Sequence, residues 1–125
     1  MLLKKINNFF DIIYKMKEDL EKILKFQKDR DWKQFHSPKN LAISLSLEAS
    51  EILELFQWTD NNNLPDDKKE NLKEEIADVY YYLLLLAYET GIDIKEVFEK
   101  KMLLNEKKYP IDKSKGKSKK YNELE

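Results

Sequence analysis

The sequence predicts an all-α protein, a four-helix-bundle-like domain, on three observations. Lys, Glu and Leu dominate a chain that has only two glycines and three prolines, a composition that favours helix over sheet. Apolar residues recur at three- and four-residue spacing through long stretches. Helix punctuation, at Ser37-Pro38, Pro65, Gly91 and Asp93, divides those stretches into helix-sized pieces.

Ile6, Phe9, Phe10, Ile13, Met16, Leu20, Ile23, Leu24 and Gln27 follow a helical period, which predicts one long helix, or two in tandem, over about residues 3–30. Phe9 and Phe10 suit packing either on the body or on a second subunit. Asp31–Ser37 (DWKQFHS) breaks the period with two aromatics and the single histidine, His36. Ser37 before Pro38 reads as an N-cap followed by the first helical residue, and the second helix runs to Gln57 or Trp58. Thr59–Leu64 is a polar turn rich in asparagine. Pro65 opens the third helix, with Asp66 and Asp67 at its positive end, and Gly91 closes it as a left-handed cap. Asp93 and Glu96 have capping-box spacing for a fourth helix, which ends near Tyr109-Pro110. Residues 1–111 form the predicted domain, and 112–125 read as a flexible Lys-rich tail.

The 125 residues suit one domain with a real core. A formal net charge of −1 gives no global electrostatic case for a nucleic-acid polymer as partner. Cysteine is absent, which rules out thiol chemistry and fits a reducing, cytoplasmic setting. The opening MLLKKINNFFDII lacks a signal-peptide pattern. Val79–Tyr88, the longest apolar run, is about half the length needed to cross a bilayer, so no membrane partner is expected. That run is apolar on every side, and a helix apolar all round must be covered all round. Self-association as a homo-oligomer is the expectation.

Chemistry concentrates in the second helix. At about 100° per residue, Leu41, Leu45, Ile52 and Leu55 fall within roughly 60° of Glu48, which places Glu48 inside the apolar stripe. Glu51 lies at the edge of the stripe and Glu54 turns outward. An ionised carboxylate in an apolar face needs compensation. On the third helix, Glu75, Asp78 and Tyr82 share one face, and the two helices together would assemble Glu48, Glu51, Glu75 and Asp78. Four carboxylates without His or Cys select a hard cation, Mg²⁺ first and Mn²⁺ as a substitute, and Mg²⁺ takes phosphate oxygens as its remaining ligands. A solvated Glu-rich face is the plain alternative.

Trp32 and Trp58 flank the acidic helix and suit base stacking or ordinary core packing. Lys101, Asn105 and Tyr109, four residues apart, share a face that could meet phosphate, sugar and base. Five lysines lie between Lys113 and Lys120, either closing over a triphosphate or solubilising the end. No Gly-rich phosphate loop and no nucleophile–base motif occurs.

The segments Glu48-Ala-Ser-Glu51-Ile-Leu-Glu54-Leu-Phe-Gln-Trp58 and Glu75-Ile-Ala-Asp78 resemble the MazG-like all-α nucleoside triphosphate pyrophosphatases. RDWKQFHSPKNL at Arg30–Leu41, KMLLNEKKYP at Lys101–Pro110 and KKYNEL at Lys119–Leu124 resemble the dCTP pyrophosphatase branch in particular, so the likeness covers about residues 16–124. The resemblance implies a MazG-type bundle that assembles as a dimer or tetramer. It implies Mg²⁺-dependent hydrolysis between the α- and β-phosphates to a nucleoside monophosphate and pyrophosphate, with dCTP or a modified dCTP as substrate, a form of nucleotide-pool sanitation. By position, Glu48, Glu51, Glu75 and Asp78 would hold the metal and form the catalytic set; the place of Glu51 at the edge of the apolar stripe makes it the preferred general base. Trp32, Trp58 and Tyr82 would frame base and sugar. Lys101, Asn105 and Tyr109 would reach phosphates or base, and Lys120 and Tyr121 would close from the tail. Ile23 stands where some dCTP-specific relatives have a histidine, Leu103 where an acidic residue is frequent, and Glu106 where a basic one is. These departures leave the metal site intact and the base preference open. A dUTP or broad-specificity pyrophosphatase, or a non-catalytic helical interaction module, are the alternatives.

Overall fold

The computed structural model describes residues 2–59 and 62–125, with side chains from residue 14 onward. The expected packing of Phe9 and Phe10, and residues 60 and 61 of the polar turn, lie outside that range. Every regular element among the described residues is helical: α1 Leu2–Asp29, α2 Pro38–Glu54, α3 Lys69–Glu89, α4 Ile94–Lys108 and a single turn, α5, Ile111–Ser114. None of these helices is long and apolar enough to cross a membrane. The chain forms two compact units, Met1–Gly91 and Ile92–Glu125, so the four long helices predicted are present, three in the first unit and one in the second.

In the first unit, α3 packs along α2 and also touches α1. Among the residues whose side chains are described, Leu41 and Leu85 are wholly buried, and Ile23, Leu84, Ala87 and the polar Gln27 are nearly so. Helix α1 ends in a Schellman motif. Trp32 N–H reaches back to Gln27 O at 3.0 Å and Asp31 N–H to Lys28 O at 3.2 Å, with Asp31 in the left-handed region at φ 54°. Aspartate tolerates that conformation better than most residues, and Gln34 Nε2 braces it by donating to Asp31 O and Oδ2 at 2.9 and 3.0 Å. Ser37 caps α2 as expected, its hydroxyl accepting from Asn40 N–H at 3.2 Å, with Pro38 at the first helical position.

Two serines on α2 turn inward on their own helix: Ser46 Oγ donates to Ala42 O at 3.0 Å and Ser50 Oγ to Ser46 O at 2.9 Å. The α-helix stops at Glu54, earlier than the predicted Gln57 or Trp58, because Leu55, Phe56 and Gln57 bond three residues back in a tightened turn. Pro65 likewise precedes a 3₁₀ turn, Asp66–Lys68, that leads into α3. Helix α3 ends as predicted, with Gly91 at φ 68° and Thr90 Oγ1 donating to Leu86 O at 2.7 Å.

In the second unit, Asp93 Oδ1 caps α4 by accepting from Glu96 N–H at 3.1 Å. The Glu96 carboxylate pairs with Lys100. The stretch read as a flexible tail carries the helical turn α5 and a 3₁₀ turn, Tyr121–Glu123. There the Tyr121 ring meets Tyr109 edge-on at 6.3 Å, and Lys108 Nζ sits 4.8 Å over it.

Candidate active site

Three of the four predicted carboxylates converge. Glu48 and Glu51 from α2 and Glu75 from α3 each place a carboxylate oxygen within 4.8 Å of the others. The α2–α3 packing explains the meeting, since the three-residue spacing on α2 puts Glu48 and Glu51 on neighbouring positions of the face that α3 covers. Glu48 is half-buried and Glu51 exposed, the order the helical wheel predicts. Asp78, one turn beyond Glu75, stands outside this cluster and instead lines the cavity beside Glu48.

The like charges are felt. Burial, then the charges of Glu51 and Asp78, raise the pKa of Glu48 above the ordinary value. Glu75 is raised as well, first by burial, then by its contact with Glu51 and the charges of Glu51, Glu48 and Asp78. Its Oε2 is buried and has no hydrogen-bond partner. A buried carboxylate oxygen left without a donor, next to two more carboxylates, is what an oxygen-liganded cation would satisfy. The donor set contains only oxygen, so the residues fit a hard divalent ion.

Against this cluster lies a cavity of about 450 Å³ walled by Lys22, Ile23, Phe26, Trp32, Glu48, Asp78, Tyr81 and Tyr82. The aromatic rings meet edge to face: Phe26 with Trp32 at 5.5 Å, Phe26 with Tyr81 at 6.3 Å, and Tyr81 with Tyr82 at 5.0 Å. Burial and the nearby Glu48 charge raise the Tyr82 pKa, against a hydrogen bond with Ser44 that lowers it, so Tyr82 stays a neutral phenol. Trp32 and Tyr82, both predicted, line the wall. Trp58 does not; it is 92% exposed, at φ 64°, in the turn after α2.

Lys22, Phe26 and Tyr81 were missed by sequence reasoning. Lys22, Ile23 and Phe26 share one face of α1 at helical spacing, a signal open to reading, whereas Tyr81 is one tyrosine in a run of three and only tertiary packing singles it out. Lys101, Asn105, Tyr109, Lys120 and Tyr121 lie on the second unit: Lys101 and the half-buried Asn105 on α4, Tyr109 at its cap. Tyr121 stacks edge-on to Tyr109, and Lys120 opens the last 3₁₀ turn.

An all-helical chain with a three-glutamate cluster facing an aromatic-walled cavity defines the class. Residues 43–124 match the MazG-like family, and the chain belongs to that family. Among its relatives, dCTP pyrophosphatase 1 of Mus musculus is 36% identical over 113 residues, and that of Homo sapiens 38% identical over 113 residues. Each match covers 86% of this chain and 66% of the relative, so the chain spans just under two thirds of those proteins. A crystal structure of a pyrophosphatase from Archaeoglobus fulgidus superposes with a TM-score of 0.72 at 42% identity, over 76% of this chain and 92% of that one.

Proposed function

We propose that the chain is a divalent-cation-dependent nucleoside triphosphate pyrophosphohydrolase, a hydrolase that cleaves the α–β phosphoanhydride and releases a nucleoside monophosphate and pyrophosphate. The observation that carries this reading is the convergence of Glu48, Glu51 and Glu75 to 4.8 Å beside a cavity walled by aromatic rings. The family and the dCTP pyrophosphatase relatives support it.

Glu48, Glu51 and Glu75, with Asp78 on the cavity side, would hold Mg²⁺ or Mn²⁺. Bound there, the ion would supply charge neutralisation for the triphosphate and Lewis-acid polarisation of its phosphoryl oxygens. The residues themselves perform the rest. Trp32 and Tyr82, joined by Phe26 and Tyr81, offer flat faces to a nucleobase. Glu51, the exposed member of the cluster, takes the proton of a water that attacks the α-phosphorus as the bond to the β-phosphate breaks. By the family resemblance, Lys101 would offset charge on the departing pyrophosphate, and Asn105, Tyr109, Lys120 and Tyr121 would contact phosphate or base, from this copy or a neighbouring subunit. Trp58, predicted as a second plate, stands outside the aromatic wall in the exposed turn after α2 and takes no part in it in this reading.

dCTP or a 5-substituted dCTP is the proposed substrate, and nucleotide-pool sanitation the proposed use. Self-association as a dimer or tetramer belongs to the same reading. On α3, Ile76, Tyr80 and Leu83 are 53%, 36% and 41% exposed and share one stripe, as do Ile43 and Leu47 on α2 at 48% and 59%.

The test is pyrophosphate and monophosphate release from a panel of canonical and 5-substituted nucleotides, with Mg²⁺ and with chelator. Metal-dependent turnover of dCTP-type substrates that falls about 100-fold or more in Glu48→Gln is expected. Turnover without base selectivity would keep the reaction and discard the dCTP branch. Absence of turnover with every nucleotide would discard the enzyme and favour a helical interaction module.

A further inference from the structure

Gln27 is a polar side chain in an otherwise apolar core. It lies one turn beyond Ile23 on α1 and is 2% exposed, so water cannot serve its amide, and a buried amide needs protein partners. Nε2 lies 3.1 Å from His36 Nδ1 and donates to the Tyr81 hydroxyl at 3.4 Å. An amide nitrogen has two hydrogens: one goes to the Tyr81 hydroxyl, and the other has His36 Nδ1 within reach in the tautomer that leaves that nitrogen unprotonated. The backbone carbonyl of the same residue receives Trp32 N–H at 3.0 Å and Arg30 N–H at 3.2 Å. One residue thereby ties down the turn that bears Trp32, the loop imidazole of His36 and the α3 phenol of Tyr81, which is 54 positions away in sequence.

Gln27 does not itself line the aromatic cavity. It faces a separate hollow of about 310 Å³ shared with Leu24, Tyr88 and Glu89. Its two ring partners do bear on the cavity: Tyr81 is part of the wall, and His36 packs edge-on to the wall residue Trp32 at 6.3 Å. Phe26 stands between Trp32 and Tyr81 and touches both rings edge-on. Without the amide, the Tyr81 hydroxyl and His36 Nδ1 would each lose a partner on the side away from the cavity. Tyr81 would then lose its tie to α1, and Trp32 would keep its backbone bond to residue 27 but lean on a His36 ring no longer held by the amide.

We infer that Gln27 is a positioning residue for the base-binding wall, setting the Trp32–Tyr81 separation from behind without touching substrate. The inference rests on reading the cavity as a nucleotide pocket. It differs from a merely structural role in one respect: its effect passes through the wall rings Tyr81 and, by way of His36, Trp32, so it falls on base recognition and leaves the bond-breaking step alone.

Steady-state hydrolysis of dCTP in Mg²⁺ by the full chain tests it, comparing wild type, Gln27→Met, Tyr81→Phe and the double variant. Methionine keeps the length and volume of glutamine but cannot donate. The expected result is a rise in KM of about fivefold for Gln27→Met with kcat within about twofold. The double variant should fall short of the product of the two single effects, because both remove the same Gln27–Tyr81 contact. Inorganic tripolyphosphate, which lacks a base, should inhibit wild type and Gln27→Met equally. An unchanged KM, effects that multiply in the double variant, or an equal loss of tripolyphosphate affinity would overturn the inference. Should Gln27→Met fail to fold by circular dichroism, Gln27→Asn, which keeps the amide and shortens its reach, takes its place in the same cycle. A wild-type chain that hydrolyses no nucleotide defeats the nucleotide reading and this inference with it. A wild type that hydrolyses dCTP, with a Gln27 variant indistinguishable from it, defeats the inference alone.

Discussion

Glu48 and Glu75 make the folded chain pay for its chemistry when no cation is present. Both carboxyls hold protons in the fold at pH values where the unfolded chain has released them, since their pKa values are raised above the ordinary 4.5. The unfolded state then binds fewer protons than the folded one, and stability falls as pH rises from that value through the raised ones. In chelator, the melting temperature of Glu48→Gln/Glu75→Gln should therefore exceed that of wild type by a margin that widens as pH rises from about 4.5 toward neutrality. Millimolar Mg²⁺ should raise the wild-type melting temperature at the upper end of that range and fail to at the lower, and should leave the double variant unmoved. A margin that stays constant with pH would mean that the three carboxylates do not share a site. At this scale the sequence was readable where a residue broke a pattern. Glu48 stands out as a charge inside an apolar stripe, and Gln27, which falls on the apolar period of α1, carries the same signal more faintly. Tyr81 was not readable, because its meeting with Gln27 is made only when α3 folds back on α1.

The helices show which local signals are decisive. Ser37-Pro38, Gly91 and Asp93 each mark a boundary through a specific bond or dihedral, and each boundary falls where those residues place it. Gly91 is the cleanest case. At φ 68° it has nothing within 4 Å of a built Cβ, so Gly91→Ala should cost backbone strain alone, about 1 kcal/mol, read as a lowered midpoint in urea with an unchanged slope. A larger loss would mean that packing at this turn also depends on the missing side chain. The end of α2 was harder to read. Leu55–Trp58 continues the apolar period in sequence, yet the backbone tightens into three-residue bonds and leaves Trp58 in the left-handed region. Periodicity reports which face is apolar, not whether the last turn closes to the fourth residue or the third.

For the molecule as a whole, α2 and α3 each keep an apolar stripe open among the described residues. Only Leu84, Leu85 and Ala87 of α3 are buried, while Ile76 and Leu83 stay open. The all-round apolar character of residues 79–88 pointed to this in the sequence, though which copy or which face answers it cannot be written in a single chain's periodicity. Light scattering at micromolar concentration should give a dimer or tetramer for the wild type. Leu83→Glu, which puts a charge on the open stripe, should shift that mass toward the monomer, lower the melting temperature and remove its dependence on protein concentration. A wild-type monomer at that concentration would contradict the proposed assembly.

The inward-turned hydroxyls of Ser46 and Ser50 have a bearing on how this lineage can change. Both lie on the side of α2 turned about 160° from Glu48, and each spends its hydrogen bond on a carbonyl of its own helix. Serine there is a poorer helix former than alanine by roughly half a kcal/mol apiece. The chain thus keeps a reserve: substitutions on that far side can firm the scaffold, leaving room for costlier experiments in the pocket that decide which nucleotide is admitted.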